Sequence, residues 1–234
     1  MKMEKLQILL DYLKKHCEIP KKTPVTEDEQ FSFYCSAVNK LPSAYVTDGF
    51  MKIEDAYLSE QIKKKDIFDA NKATVPISVV KKSAAYFRAD AALCFVTQEN
   101  DKSVYLYGGT RLKTQVTKSL SKENITISKA NNLFYKGVIS ARLPEISAKI
   151  TSVILSETTE KYKYALDTAI GLNLESIVLC VPSVENKLIE NRIASAIINE
   201  IKLHSAYEKV KIVLAVTTDD SLNIYQKLIK GGNL

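Results

Sequence analysis

Two apolar segments and the segment between them decide the fold: SIVLCV at 176–181, NKLIENRIASAIINEIKLH at 186–204, and KIVLAV at 211–216. Short, continuous apolar runs of this kind predict strands that are buried on both faces, as in a parallel sheet. The segment between them has the length and pattern of a helix. The three segments therefore predict a βαβ unit, in which two parallel strands are joined by a helix.

The same alternation extends back along the chain to about residue 74. Further strands are predicted at 75–80, 91–96, 137–141 and 151–155. Further helices are predicted at 109–120, 159–170 and 220–229. This order of elements is typical of an α/β protein with a mostly parallel sheet covered by helices.

The first 70 residues have a different pattern, which predicts three helices. The first carries an apolar stripe at i, i+3, i+4 and i+7, formed by Leu6, Leu9, Leu10 and Leu13. The second begins at a capping box made by Thr26 and Glu29 and ends by Pro42. The chain is therefore expected to contain a helical extension over 1–70 and an α/β domain over 71–234.

Composition limits the class of protein. The chain has 234 residues, 46% of them hydrophobic and 26% charged, which is enough to build one full core. No apolar run approaches the roughly 20 residues of a membrane span, and the N-terminus is a charged amphipathic segment. The four cysteines form no CxxC pair. We therefore expect a reduced cytoplasmic protein without a membrane partner.

The net charge of +6 arises from a lysine-rich composition, with clusters at 63–65 and 81–82. Such clusters can contact phosphates, but solvated lysines at helix ends and in loops are commoner. The sequence lacks the interleaved aromatic and basic residues that read bases. Nucleic-acid binding is therefore a weaker alternative.

The segment 94–107 occupies the position where an α/β fold usually builds its ligand site, because it joins a buried strand to the helix predicted near Gly108. It contains no glycine and no histidine. A phosphate cradle needs glycines for close approach of the backbone, and a metal site needs clustered ligands. The position is typical of a functional site, but the residues are not.

Three motifs in order resemble one family: IEDAYL at 53–58 followed by VPISV at 75–79, then GGTRL at 108–112, and then ALDTAIGLNLESIVLCVPS at 165–183. Together they resemble the zinc-dependent macrodomains, which are bacterial ADP-ribosyl hydrolases with a helical segment before the macro fold. The resemblance extends over nearly the whole chain. It implies a three-layer α/β/α mixed sheet with an N-terminal helical extension.

The chain departs from that family where the family binds adenine, ribose and zinc. Ser83 stands where the family has the aspartate that accepts a hydrogen bond from adenine. The family's Asn-Ala-Ala-Asn motif is replaced by Cys94, Phe95, Val96 and Thr97. Its glycine-rich zinc segment has shrunk to about 98–107, and one cysteine cannot hold zinc. These departures from the family imply the same fold without a metal, and no cofactor is expected.

The family's second phosphate loop has the pattern Ser-Thr-Gly-x-x-Gly, which aligns with 183–188. Glu185 stands at the first glycine, and its carboxylate would repel a phosphate about 4 Å away by roughly 4 kcal/mol. Ser183 is interpreted as a helix cap in preference to a ligand contact. A remaining cleft would be lined by the candidate residues Ser83, Thr97, Gly108, Gly109, Ser183, Glu185 and Asn186.

The other reactive residues have structural interpretations. Cys94 and Cys180 lie inside apolar strands, where a thiol acts as a small core hydrophobe. His16 and His204 lie near predicted helix ends, away from any nucleophile. The sequence therefore predicts no catalytic residues.

These observations favour a catalytically degenerate macrodomain, or pseudoenzyme, that acts as a noncatalytic interaction or regulatory scaffold. Its partner would be a protein of unknown identity, and an ADP-ribose-like nucleotide is disfavoured. The alternative is a macrodomain that binds or hydrolyses ADP-ribose, or a related nucleotide, through unconventional contacts.

Overall fold

A six-stranded mixed sheet forms the centre of the protein in the computed structural model, which describes residues 2–17, 26–96, 98, 101–146 and 150–231. The strands are β1 Phe68–Asp69, β2 Ile77–Lys81, β3 Phe87–Arg88, β4 Ala91–Phe95, β5 Ile125–Lys129, β6 Gly137–Ala141, β7 Ser176–Cys180 and β8 Lys211–Val216. The main sheet has the order β2-β8-β7-β4-β6-β5, and β1 pairs with β3 apart from it. All neighbours in the main sheet are parallel except β5, which runs antiparallel to β6.

Helices cover both faces of this sheet. They are α1 Lys2–His16, α2 Glu27–Val38, α3 Asp48–Ile62, α4 Lys102–Tyr107, α5 Gly109–Leu120, α6 Ser152–Gly171, α7 Lys187–Leu203 and α8 Asp219–Ile229. The Phe95 ring packs on Tyr162 of α6, with 5.9 Å between centroids. On the opposite face, the hydroxyl of Tyr105 in α4 donates to Ser140 of β6. Because successive residues of a strand point to opposite faces, these contacts define three layers, and the α/β/α prediction is confirmed.

Most of the predicted elements are confirmed, with ends shifted by a few residues. The strand predicted at 151–155 is wrong, because α6 begins there. Thr151 is the N-cap of this helix, and its hydroxyl accepts the Ile154 N–H at 3.2 Å. The apolar residues that suggested a strand form the first turn, where Val153 is 61% exposed.

The sequence did not reveal the short strands β1 and β3, nor two longer elements, β5 and α4. Strand β5 lies at the sheet edge and alternates polar with apolar residues, and its Ile127 remains 47% exposed. It therefore lacks the continuous apolar run of the central strands. Helix α4 has six residues and lies inside the segment 94–107, which was interpreted only as a shortened loop.

The three N-terminal helices share an apolar cluster of their own. The predicted stripe is confirmed, because its four leucines on α1 are all buried. The capping box is also confirmed: the Thr26 hydroxyl accepts the Glu29 N–H, and Glu29 accepts the Thr26 N–H. Among the described helices, none has both the length and the apolar character needed to cross a bilayer.

Candidate functional site

The carboxyl ends of the parallel strands β4, β7 and β8 meet along one edge of the sheet. In open α/β sheets this edge is where ligands bind. The loops that follow these strands therefore form the region in which to test the candidate residues. Thr97, one of these candidates, lies outside the described residues.

The loop after β7 is tied to the loop after β4 by a hydrogen bond within the chain. The backbone N–H of Ser183 donates to Oε1 of Gln98 at 2.9 Å. In a phosphate-binding loop, backbone N–H groups of this kind point at the ligand. The Ser183 amide already has an acceptor, supplied by a neighbouring side chain.

The N-terminus of α7 is also satisfied by the chain itself. Oδ1 of Asn186 accepts the N–H groups of Leu188 at 3.0 Å and of Ile189 at 3.3 Å. The prediction that Ser183 caps this helix is wrong, because Asn186 has that role. The reason is position: the cap oxygen must reach the second or third N–H of the helix, and Asn186 directly precedes the first helical residue.

Glu185 is exposed and directly precedes the cap residue of α7 in the chain. The neighbouring Lys187 forms an ion pair with Asp220 of α8 at 2.8 Å. At the end of β2, Lys81 forms an ion pair with Asp219 of α8 at 2.7 Å. Lysines near this edge are thus matched by carboxylates, which offsets their attraction for an anion.

Ser83 follows β2 and makes a hydrogen bond with the hydroxyl of Ser103 in α4. This contact places α4, which the sequence did not reveal, against Ser83. The Ser83 hydroxyl therefore has a partner within the protein, and it joins the crossing after β2 to α4.

Gly108 and Gly109 form the junction between α4 and α5. A Cβ on Gly108 would lie 2.3 Å from the Leu112 side chain and 2.9 Å from the Val104 carbonyl, so only glycine fits. Gly109 has a φ of +74°, which favours glycine. A Cβ on Gly109 would lie 3.2 Å from Oε2 of Glu54 in α3. Both glycines therefore allow close packing within the chain.

A buried carboxylate from the N-terminal helices lies at the start of α5. Glu54 is 1% exposed and accepts hydrogen bonds from the Thr110 N–H at 2.7 Å and the Thr110 hydroxyl at 2.8 Å. It also accepts a hydrogen bond from the Tyr34 hydroxyl. A negative group is favourable at a helix N-terminus, so Glu54 acts as an internal anion that joins α2 and α3 to α5. Its position inside IEDAYL was the only sequence signal for this role.

A second buried acid, Asp101, was also missed. Its carboxylate is 2% exposed and accepts the Phe95 N–H at 2.6 Å, and burial raises its pKa to about 7. The sulfurs of Cys94 and Cys180 lie 3.5 Å apart, and burial raises the pKa of both thiols. Both cysteines are buried, so their prediction as core residues is confirmed.

The described residues contain no group of three or more His, Cys, Asp and Glu side chains arranged to hold a metal ion. His204, at the end of α7, lies 3.1 Å from Asp167 of α6 and not beside a nucleophile. The hydrogen bonds of the candidate residues therefore join loops and helices of the chain to one another.

The sequence matches no family model and no curated protein, but the structure is similar to solved macrodomains. The macro domain of ganglioside induced differentiation associated protein 2 matches with a TM-score of 0.56 and 16% identity, covering 70% of this chain and 96% of that one. A mutant macrodomain from Oceanobacillus iheyensis has a TM-score of 0.59 and 13% identity, covering 66% and 91%. Another mutant, solved with ADPR, has a TM-score of 0.57 and 14% identity, covering 66% and 92%. The protein therefore has the macrodomain fold.

Proposed function

We propose that this protein is a noncatalytic macrodomain-fold protein that acts as an interaction or regulatory scaffold. In this proposal, residues 1–70 form a helical extension and residues 71–234 form the macrodomain-like domain. The separate apolar clusters of the N-terminal helices and of the sheet support that division. The extension provides a surface for a protein partner whose identity is open.

One observation carries the proposal: the hydrogen bond from the Ser183 N–H to Gln98. A phosphate bound at this loop would have to displace the Gln98 side chain and also approach the carboxylate of Glu185. Displacing a bonded acceptor cancels most of the gain from the new hydrogen bond. Repulsion by Glu185 adds a cost that a glycine at this position would not impose.

The test is a calorimetric titration with ADP-ribose, alongside a hydrolysis assay on an ADP-ribosylated peptide. We expect neither binding heat at millimolar ligand nor hydrolysis, with a solved ADP-ribose-binding macrodomain as positive control. The double variant Gln98→Ala/Glu185→Gly frees the amide and removes the carboxylate, so it should bind ADP-ribose more tightly than the wild type. Micromolar binding or turnover by the wild type would refute the proposal.

The second candidate is a macrodomain that binds or hydrolyses ADP-ribose or a related nucleotide through unconventional contacts. It is favoured by the solved relative that contains ADPR, which does not fit the sequence-based expectation that such a ligand is disfavoured. The two candidates predict opposite results in the same titration. An absence of heat at millimolar ADP-ribose would eliminate this one.

Binding of nucleic acid is a weaker third candidate. Of the lysine clusters that suggested it, Lys81 pairs with Asp219 and Lys82 with Asp66. Exposed ion pairs of this kind reduce the charge available to phosphates. A gel shift at low salt that disappears as salt rises would support it, and its absence would dispose of it.

A further inference from the structure

A cavity of about 540 Å³ lies between the N-terminal helices and the macrodomain-like part of the chain. Cys35 and Asn39, at the end of α2, form one wall, while α4 and α5 form the other. Val96, directly after β4, also lines it. No residue of 183–186 is among the described residues that line it. The volume falls in the range of small-molecule sites.

The surface of the cavity is mainly apolar, and its lining residues include Val96, Tyr105, Leu106 and Val116. The Tyr105 hydroxyl is directed away toward Ser140, to which it donates at 3.1 Å. A mainly apolar lining with a few polar groups is the usual composition of a site that holds an organic molecule.

The charged groups of the described lining are lysines. Lys113 on α5 and Lys102 on α4 both line the cavity, and the described lining contains no aspartate or glutamate. The Lys113 ammonium donates to Oδ1 of Asn39 at 2.7 Å. Burial lowers the pKa of Lys113, and the nearby Glu54 opposes this shift. An ammonium has three donors, so Lys113 can hold Asn39 and a ligand together.

We propose that this cavity binds a small organic anion, specifically a monocarboxylate with an aromatic body. Its carboxylate would accept a charge-assisted hydrogen bond from Lys113, and its body would occupy the apolar lining. The occupant would contact both α2 and α5, and so stabilise the docking of the N-terminal helices. The lining includes Val96 from the loop after β4 but no described residue of the loop after β7, and the proposal does not depend on the noncatalytic role proposed above.

The test compares two probes that differ in charge and not in shape, naphthalene-2-carboxylate and naphthalene-2-carboxamide. Calorimetry on the wild type should find one site that prefers the carboxylate by about tenfold or more, the size of a hydrogen bond between charged groups. Lys113→Met should abolish that preference while leaving the weak binding of the amide unchanged. Lys118→Met, on the same helix and outside the lining, is the matched control and should bind as the wild type does.

Chemical protection locates the bound probe. Saturating carboxylate should slow alkylation of Cys35, which lines the cavity, and leave the rate at Cys17 unchanged. Equal affinity for the two probes, no binding of either, or full preference retained by a folded Lys113→Met variant would each overturn the proposal. The comparison of probes on the wild type remains decisive if that variant fails to fold. A parallel ADP-ribose titration tests the noncatalytic role independently.

Discussion

Replacing Glu54 by alanine tests how the N-terminal helices are joined to the rest of the fold. The side chain is 1% exposed and accepts hydrogen bonds from the Tyr34 hydroxyl, the Thr110 N–H and the Thr110 hydroxyl. Alanine would leave these donors buried without their acceptor. It would also leave the first turn of α5 without the negative group that complements its dipole.

The expected decrease in the free energy of unfolding follows from the number of donors that lose their acceptor. A buried donor left without a partner costs about 1–3 kcal/mol, and the two hydroxyls can rotate to recover part of that cost. The expected decrease in the free energy of unfolding from Glu54→Ala is therefore about 3–5 kcal/mol. Glu54→Gln keeps one acceptor oxygen, so its expected decrease is about 1–2 kcal/mol. For a chain of this length, the alanine variant should melt about 10 °C lower.

The measurement is urea unfolding followed by far-ultraviolet circular dichroism, because the chain has no tryptophan to report unfolding. Glu123→Ala is the matched control, since Glu123 lies in an exposed turn after α5. The control should change stability by less than about 0.5 kcal/mol. If Glu54→Ala were as mild as the control, the inference that Glu54 joins the two parts of the chain would be refuted.

Three further predictions concern buried groups elsewhere. Gly109→Ala should lower the free energy of unfolding by about 1–2 kcal/mol because its φ is +74°, whereas Gly171→Ala, where a Cβ meets nothing within 4 Å, should not destabilise the protein in urea. Burial raises the pKa of Asp101 to about 7, so the folded state keeps a proton that the unfolded state loses above about pH 4. The contribution of this carboxyl to stability therefore falls as the pH rises from about 4 to about 7. The stability of Asp101→Asn relative to the wild type should rise over that pH range, and a constant difference would contradict the prediction. Cys94 and Cys180 are buried, so a thiol reagent should titrate at most two of the four cysteines in the folded protein and all four in urea.

The fold could be predicted because its central strands have a clear sequence signal. The segments that became β7 and β8 are continuous apolar runs, and such runs occur when helices cover both faces of a strand. The edge strand β5 could not be found in this way, because Ile127 faces outward and polar residues alternate with apolar ones. The apolar start of α6 was misassigned because a local pattern of three apolar residues fits either type of element.

The candidate site could be predicted only in part, because its properties depend on contacts between distant residues. The resemblance to macrodomains indicated that Ser183 and Asn186 belong to a loop at the sheet edge. It did not reveal that Gln98, 85 residues earlier, bonds to Ser183. Nor did it reveal Glu54, whose role depends on contact with Thr110, 56 residues later. Such pairs follow no local spacing rule.

Three sites with backbone N–H donors share one property in this chain: an acceptor supplied by another side chain of the protein. The Ser183 amide bonds to Gln98, the start of α7 to Asn186, and the start of α5 to Glu54. Unpaired donors at a helix start lower stability wherever water is excluded, so acceptors supplied by the protein itself stabilise these positions. Water-exposed donors do not require acceptors, but Thr110 is buried, and for it the internal carboxylate is a structural necessity. The stability of this fold should therefore be independent of added phosphate at the start of α5, whereas Glu54→Ala leaves the Thr110 N–H there buried without its acceptor.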